Sequence, residues 1–164
     1  MKRASVLRPH YLDASALVKL VVEEKFSKRV QAYVKTQSWR VCTSYCFYEA
    51  LGVLKRKKER QELSERAYLA SSRRLIGMAK NEYFKLVDGG PFSSVVAADA
   101  ERMVKNHGID FLDAFQLISV RDSWHYLAFP SKPILITADN KLSKAAKSEG
   151  IKVWFCRETH SPKQ

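Results

Sequence analysis

No apolar run in this chain approaches the roughly 20 residues that a bilayer-spanning helix requires, so no membrane partner is expected. The amino end does not read as a leader either. MKRASVLRPHYLD is positively charged, but Asp13 and Lys19 interrupt the apolar stretch behind it and no cleavage site follows. Cysteine is scarce. The three residues Cys42, Cys46 and Cys156 are too few and odd in number for a disulfide scaffold, which points to a reducing compartment, the cytoplasm. Cys42 and Cys46 are four apart with no second Cys or His pair nearby, so they read as small buried apolar side chains, not as half of a zinc site. The histidines His10, His107, His125 and His160 show no ligand spacing. There is no glycine-rich phosphate loop and no nucleophile elbow, which removes two large enzyme classes. There is also no internal repeat and no low-complexity segment.

What is present is enough for a core. The chain has 164 residues, 46% of them apolar, which suits one domain over residues 1–156 followed by a polar tail at 157–164. Lys and Arg number 29 against 17 Asp and Glu, a net charge of +12. Such an excess suits a polyanionic partner, and nucleic acid binds by phosphate neutralisation. The basic candidates are the cluster Lys55-Arg56-Lys57-Lys58, the pair Arg73-Arg74, and Lys141, Lys144 and Lys147. Lys141 and Lys144 are favoured as substrate contacts because their helix starts at the acidic site described below.

Hydrophobic periodicity predicts strands at 7–12, 40–43, 84–87, 133–137 and 151–155. Helices are predicted at 14–22, 27–36, 44–60, 64–82, 94–106, 110–126 and 142–149, with Ser44 and Ser64 as N-caps and Gly108 as a stop. Pro130 and Pro133 bracket a loop. The aromatic segment at 123–132 between the fourth strand and the helix before it suits a dimer face, a substrate groove or plain packing. The alternation of strands and helices predicts an α/β protein, a Rossmann-like α/β/α sandwich around a central, mainly parallel sheet.

In such sheets ligands bind beyond the carboxyl ends of the strands. Asp13 and Asp139 both stand at strand ends, each with a hydroxyl two positions away, Ser15 and Thr137. Each aspartate also fits a helix cap. Glu49 lies on the apolar side of its helix, beside Cys46, Ala50 and Val53, where a carboxylate is costly unless paired or bound to a cation. Asp110 fits an N-cap, and Asp113 falls in the first turn behind it, one helical step from Leu117. Brought together, Asp13, Glu49, Asp113 and Asp139 would repel and raise each other's pKa, and a hard cation, Mg²⁺ or Mn²⁺, would relieve the conflict. Near a phosphodiester such an ion supports hydrolysis, with Ser15 and Thr137 orienting the acids around it.

LDASALVKLVVEE, TSYCFYEALGVLKRK, GIDFLDAFQLISV and ILITADNKLSKAAKSEGIKVW resemble, in order and spacing, the four motifs of the PIN-domain nucleases. The nearest group is the VapC-type toxins of toxin–antitoxin pairs. The resemblance runs from about His10 to Val153. It implies a Mg²⁺- or Mn²⁺-dependent endoribonuclease whose catalytic and metal-binding acids are Asp13, Glu49, Asp113 and Asp139. Ser15, Thr137 and Asp110 would be auxiliary residues. It also implies an RNA substrate, a homodimer and a cognate antitoxin. The alternatives are a PIN-type nuclease acting in RNA processing or on DNA, and a non-catalytic RNA-binding or protein-docking domain. An aspartyl-phosphate phosphatase would need a second Asp where Ser15 stands.

Overall fold

The computed structural model describes residues 8–88, 92–123 and 132–158. In chain order the elements are β1 (His10–Leu12), α1 (Ala14–Val21), α2 (Ser27–Lys35), β2 (Arg40–Thr43), α3 (Ser44–Glu59) and α4 (Glu65–Lys80). Then follow β3 (Lys85–Val87), α5 (Ser94–His107), α6 (Phe111–Arg121), β4 (Ile134–Thr137), α7 (Asn140–Ser148) and β5 (Lys152–Phe155). The strands form one sheet in the order β3-β2-β1-β4-β5, and every pairing is parallel. A parallel sheet is covered on both faces, so its central strands read as continuous apolar runs. Accordingly β1 and β4 are buried at every position.

Side chains alternate across a strand, so each strand feeds two cores. Leu12, Cys42, Ile134, Ile136 and Trp154 point to one face and pack with Leu17, Leu20, Val34, Leu54 and Leu75 of α1 to α4. Tyr11, Val41 and Leu135 point to the other and pack with Met103, Leu117, Leu142 and Ala146 of α5 to α7. The result is the α/β/α sandwich expected from the alternation of elements. Among the described residues, no helix is long and apolar enough to cross a membrane.

Several boundaries differ from the sequence reading for local reasons. The cap of α3 is Thr43, whose hydroxyl accepts from Cys46 N, so Ser44 is already the first helical residue. Helix α7 begins at Asn140, two residues earlier than expected, because Asp139 caps it. Helix α6 stops at Arg121 with Asp122 as its cap, well short of 126. Ser64 and Gly108 act as expected, the first accepting from Ala67 N and the second ending α5 at φ 65°. Arg157 and Glu158 are not a frayed tail. The Arg29 guanidinium donates to the carbonyl of Glu158 at 2.8 Å, and Lys147 pairs with its carboxylate at 3.3 Å. The rest of the predicted tail, and the segment 124–131, lie outside the described residues.

Candidate functional site

The strand order places the switch of the doubly wound sheet at β1 and β4, which are neighbours. Their carboxyl ends carry Asp13 and Asp139. Each caps the helix that follows: Asp13 accepts from Ser15 N, and Asp139 from Leu142 N at 2.9 Å. The helix-cap reading and the site reading therefore hold together, because a cap carboxylate sits at the strand end where the cavity opens.

The two turns are stitched by the hydroxyls. Ser15 Oγ donates to Asp13 Oδ2 at 2.5 Å and accepts from Ala138 N at 2.8 Å. Thr137 Oγ1 donates to the same Oδ2 at 2.9 Å and accepts from Asp139 N at 2.9 Å. Each hydroxyl thus passes one hydrogen bond from the 138–139 backbone to Asp13. Asp13 is 3% exposed, and burial raises its pKa, opposed by these hydrogen bonds.

Four further acids, Glu24, Glu49, Asp110 and Asp113, line the same space. Asp13, Glu49, Asp110, Asp113 and Asp139 all line one cavity of about 330 Å³, walled also by Ser15, Val18, Lys19, Glu24, Val53, Lys57 and Arg157. Glu49 comes from α3 and is half-buried, as its apolar neighbours required. Asp110 caps α6 through Asp113 N at 2.8 Å, and so orients the turn that carries half-buried Asp113. Burial first, then the charges of Asp13 and Asp110, push Glu49 up to about 7, partly relieved by Arg56. Burial and the charges of Asp110, Asp13 and Glu49 push Asp113 up to about 8. For both groups burial is the larger cause, and the neighbouring charges add to it.

The cavity is a wide bowl. Among the described residues, no three His, Cys, Asp or Glu side chains are gathered tightly enough to ligate a single metal ion as they stand. The donor set is nonetheless all carboxylate oxygen, with hydroxyls behind it. That chemistry suits a hard ion such as Mg²⁺ or Mn²⁺, and Mg²⁺ commonly keeps several waters and takes only one or two carboxylates. Soft ligands do not compete. Cys42 and Cys46 are buried, and burial raises both thiols, with the charge of Asp13 adding to it.

Sequence reasoning selected five of the six acids and the two hydroxyls that the fold gathers here, and missed Glu24. Its two favoured cations stand outside the cavity. Lys141 and Lys144 lie on the exposed side of α7 and are not among the residues lining the cavity. Lys19, Lys57 and Arg157 line it instead. The signal for Lys19 was present: a lysine inside an otherwise apolar helix, 7% exposed in the fold. The signal for Lys57 was its spacing from Glu49 and Val53 along one face of α3.

The sequence matches no protein-family model and no curated protein. Its fold has counterparts among solved structures. One is the crystal structure of PAE2754 from Pyrobaculum aerophilum, 23% identical, with a TM-score of 0.59 over 93% of this chain and 88% of that one. Another is a domain of a functionally unknown protein from Methanocaldococcus jannaschii, 13% identical, with a TM-score of 0.50 over 96% of each chain. The class these likenesses define is one of fold: a parallel α/β/α sandwich spanning nearly the whole chain.

Proposed function

We propose that this protein is a Mg²⁺- or Mn²⁺-dependent endoribonuclease of the PIN type, acting in the cytoplasm as the toxin of a toxin–antitoxin pair. One observation carries the reading. Six carboxylates from distant parts of the chain line one cavity at the switch of a parallel sheet, in a protein of net charge +12. An acidic recess in a basic molecule suits hydrolysis of a polyanion at a cation.

The residues to hold the ion are Asp13, Glu49, Asp113 and Asp139. When bound, it supplies positive charge at the phosphodiester and lowers the pKa of water. The protein supplies the rest. Ser15 and Thr137 lock Asp13 into one orientation, so its remaining acceptor capacity is aimed before substrate arrives. Asp110 fixes the turn that presents Asp113. In the ion-free protein burial and neighbouring charge push Glu49 up to about 7 and Asp113 up to about 8, and a bound cation would favour the ionised form of both. Exposed Phe92, Phe111 and Tyr48 surround this end of the molecule, with Phe115 bridging Phe92 and Phe111. An apolar rim of that kind suits a protein partner, whether a second copy or an antitoxin.

The test is cleavage of RNA by purified protein with Mg²⁺ or Mn²⁺. Asp13→Asn should abolish cleavage, with the fold preserved by circular dichroism. Undiminished cleavage in that variant, together with indifference to EDTA, would sink the proposal. Parallel assays on tRNA, rRNA and DNA distinguish a toxin from a processing or DNA nuclease. That no three acids among the described residues are gathered tightly enough to share one ion favours a second reading, a non-catalytic RNA-binding domain, which predicts binding without cleavage at any ion concentration.

A further inference from the structure

The cavity has two ends of opposite sign. Asp13 stands at the mouth of α1, and Lys19 lies six residues along it, about 9 Å at the helical rise. Glu49, Val53 and Lys57 follow one another along one face of α3, placing Lys57 about 12 Å beyond Glu49. Both helices therefore run from acid to cation along the same cavity wall.

At the cationic end the Glu24 carboxylate bridges the two lysines. Its Oε1 accepts from Lys19 Nζ, and its Oε2 accepts from Lys57 Nζ at 2.9 Å, while Lys57 Nζ also donates to the more exposed Glu62 Oε2 at 2.9 Å. Glu24 belongs to the short connection between α1 and α2, and its backbone is held independently of its carboxylate. Glu24 N donates to Ser27 Oγ at 3.0 Å, and Ser27 N donates to Glu24 O at 3.0 Å. Arg157 adds a third cation to the lining. A carboxylate held with one oxygen on each of two ammonium groups has the valence of a bound oxyanion. A phosphodiester presents the same pair of terminal oxygens sharing one negative charge.

We propose that Lys19 and Lys57 form a phosphate subsite, held in the free protein by Glu24 as a displaceable stand-in. In the complex it would take a phosphate flanking the bond to be cut. This rests on the nuclease reading, and deepens it: the substrate is a strand long enough to place a second phosphate about one helix turn or two from the acids. Lys19 and Lys57 are positioning residues that act on binding and register. The displaced Glu24 side chain is on a solvent-accessible connection and can turn outward.

The sign of two substitutions decides the matter. Fluorescence anisotropy with a labelled single-stranded RNA, in Ca²⁺ to hold cleavage down, measures affinity and its salt dependence. Cleavage in Mg²⁺ separates KM from kcat. Lys57→Gln should weaken binding about tenfold, the scale of one charge-assisted hydrogen bond, and lower the salt slope by about 0.7. Lys57→Arg should restore most of it. Glu24→Gln should tighten binding about threefold, because it frees Lys19 and leaves Lys57 paired with Glu62 alone, with the effect in KM and little in kcat. A structural role for the bridge predicts the opposite for Glu24→Gln, since losing a brace weakens the site. Thermal melts show that each variant is folded. Weaker binding in Glu24→Gln, or unchanged affinity and salt slope in Lys57→Gln, overturns the subsite while leaving the nuclease reading intact. Wild-type protein that neither binds nor cleaves RNA overturns both.

Discussion

Replacing Asp113 with asparagine removes one charge from the acid cavity and almost nothing from its shape. Burial and four neighbouring carboxylates push this carboxyl from 3.8 up to about 8. Below the unfolded value the acid is neutral in both states and the substitution is silent. As pH rises the unfolded chain ionises first, so the folded wild type loses stability steadily until about pH 8 and then levels off. The shift is about four pH units, worth roughly 6 kcal/mol at full weight. Asp113 is only half-buried and shares its charge conflict with Glu49, so screening reduces the figure to about 2 kcal/mol. Against this, a carboxylate in the first turn of α6 gains about 0.5 kcal/mol from the helix dipole. The net gain for Asp113→Asn is about 1.5 kcal/mol, or roughly 3–6 °C in Tm for a domain of this size. The assay is a thermal melt in EDTA at pH 3 and pH 8.5. The variant should match wild type at the lower pH and exceed it at the higher. Adding Mg²⁺ or Mn²⁺ at pH 8.5 should raise the wild type more than the variant. A variant no more stable than wild type at pH 8.5, or a gap of equal size at both pH values, refutes the argument from charge crowding.

Two other substitutions test parts of the fold away from the cavity. Glu149 at the end of α7 accepts from both terminal nitrogens of Arg102, at 2.9 and 2.7 Å, and hydrogen-bonds His107 at 2.7 Å, which holds its carboxyl down at about 2. Glu149→Gln should cost about 2 kcal/mol in urea unfolding at pH 7, with the cost fading as pH falls from 4.5 toward 2; a loss below about 0.5 kcal/mol would show the network to be ornamental. Gly108 ends α5 at φ 65°, with nothing within 4 Å of an added Cβ, so Gly108→Ala should cost about 1 kcal/mol from backbone conformation alone and Gly108→Asn less. Equal stability of the alanine variant and wild type would mean the helix end has relaxed to another conformation.

Periodicity was a good guide wherever an element buries a continuous stripe. β1 and β4 were legible because they are apolar on both faces, and Glu49 stood out because its neighbours Cys46 and Ala50 are buried. The acids were legible as a set because each breaks an apolar pattern in the same sense. Caps were harder. Thr43 and Ser44 are both good capping residues, and the choice between them depends on where β2 releases the chain. The cations were hardest, since an exposed lysine and a cavity-lining one look alike in sequence. Lys141 and Lys144 follow Asp139 closely, yet the helix carries them outward. Lys19 was read only as an interruption of an apolar run, because its partner Glu24 is reached after the chain has turned out of α1. Arg157 was assigned to a tail that the Arg29 and Lys147 contacts tie down.

The hydrogen bond from Thr137 to Asp13 joins residues 124 positions apart. On a ribosome adding about 5–20 residues per second, the first half of the site waits roughly 6–25 s for the second. Until β4 emerges and inserts beside β1, Asp13 has neither its Thr137 hydroxyl nor the 138 and 139 amides that pass hydrogen bonds to it through Ser15 and Thr137. A chain that stops short of β4 therefore lacks both the hydrogen bonds that orient Asp13 and the Asp139 that stands beside it, and the cavity is completed only late in synthesis.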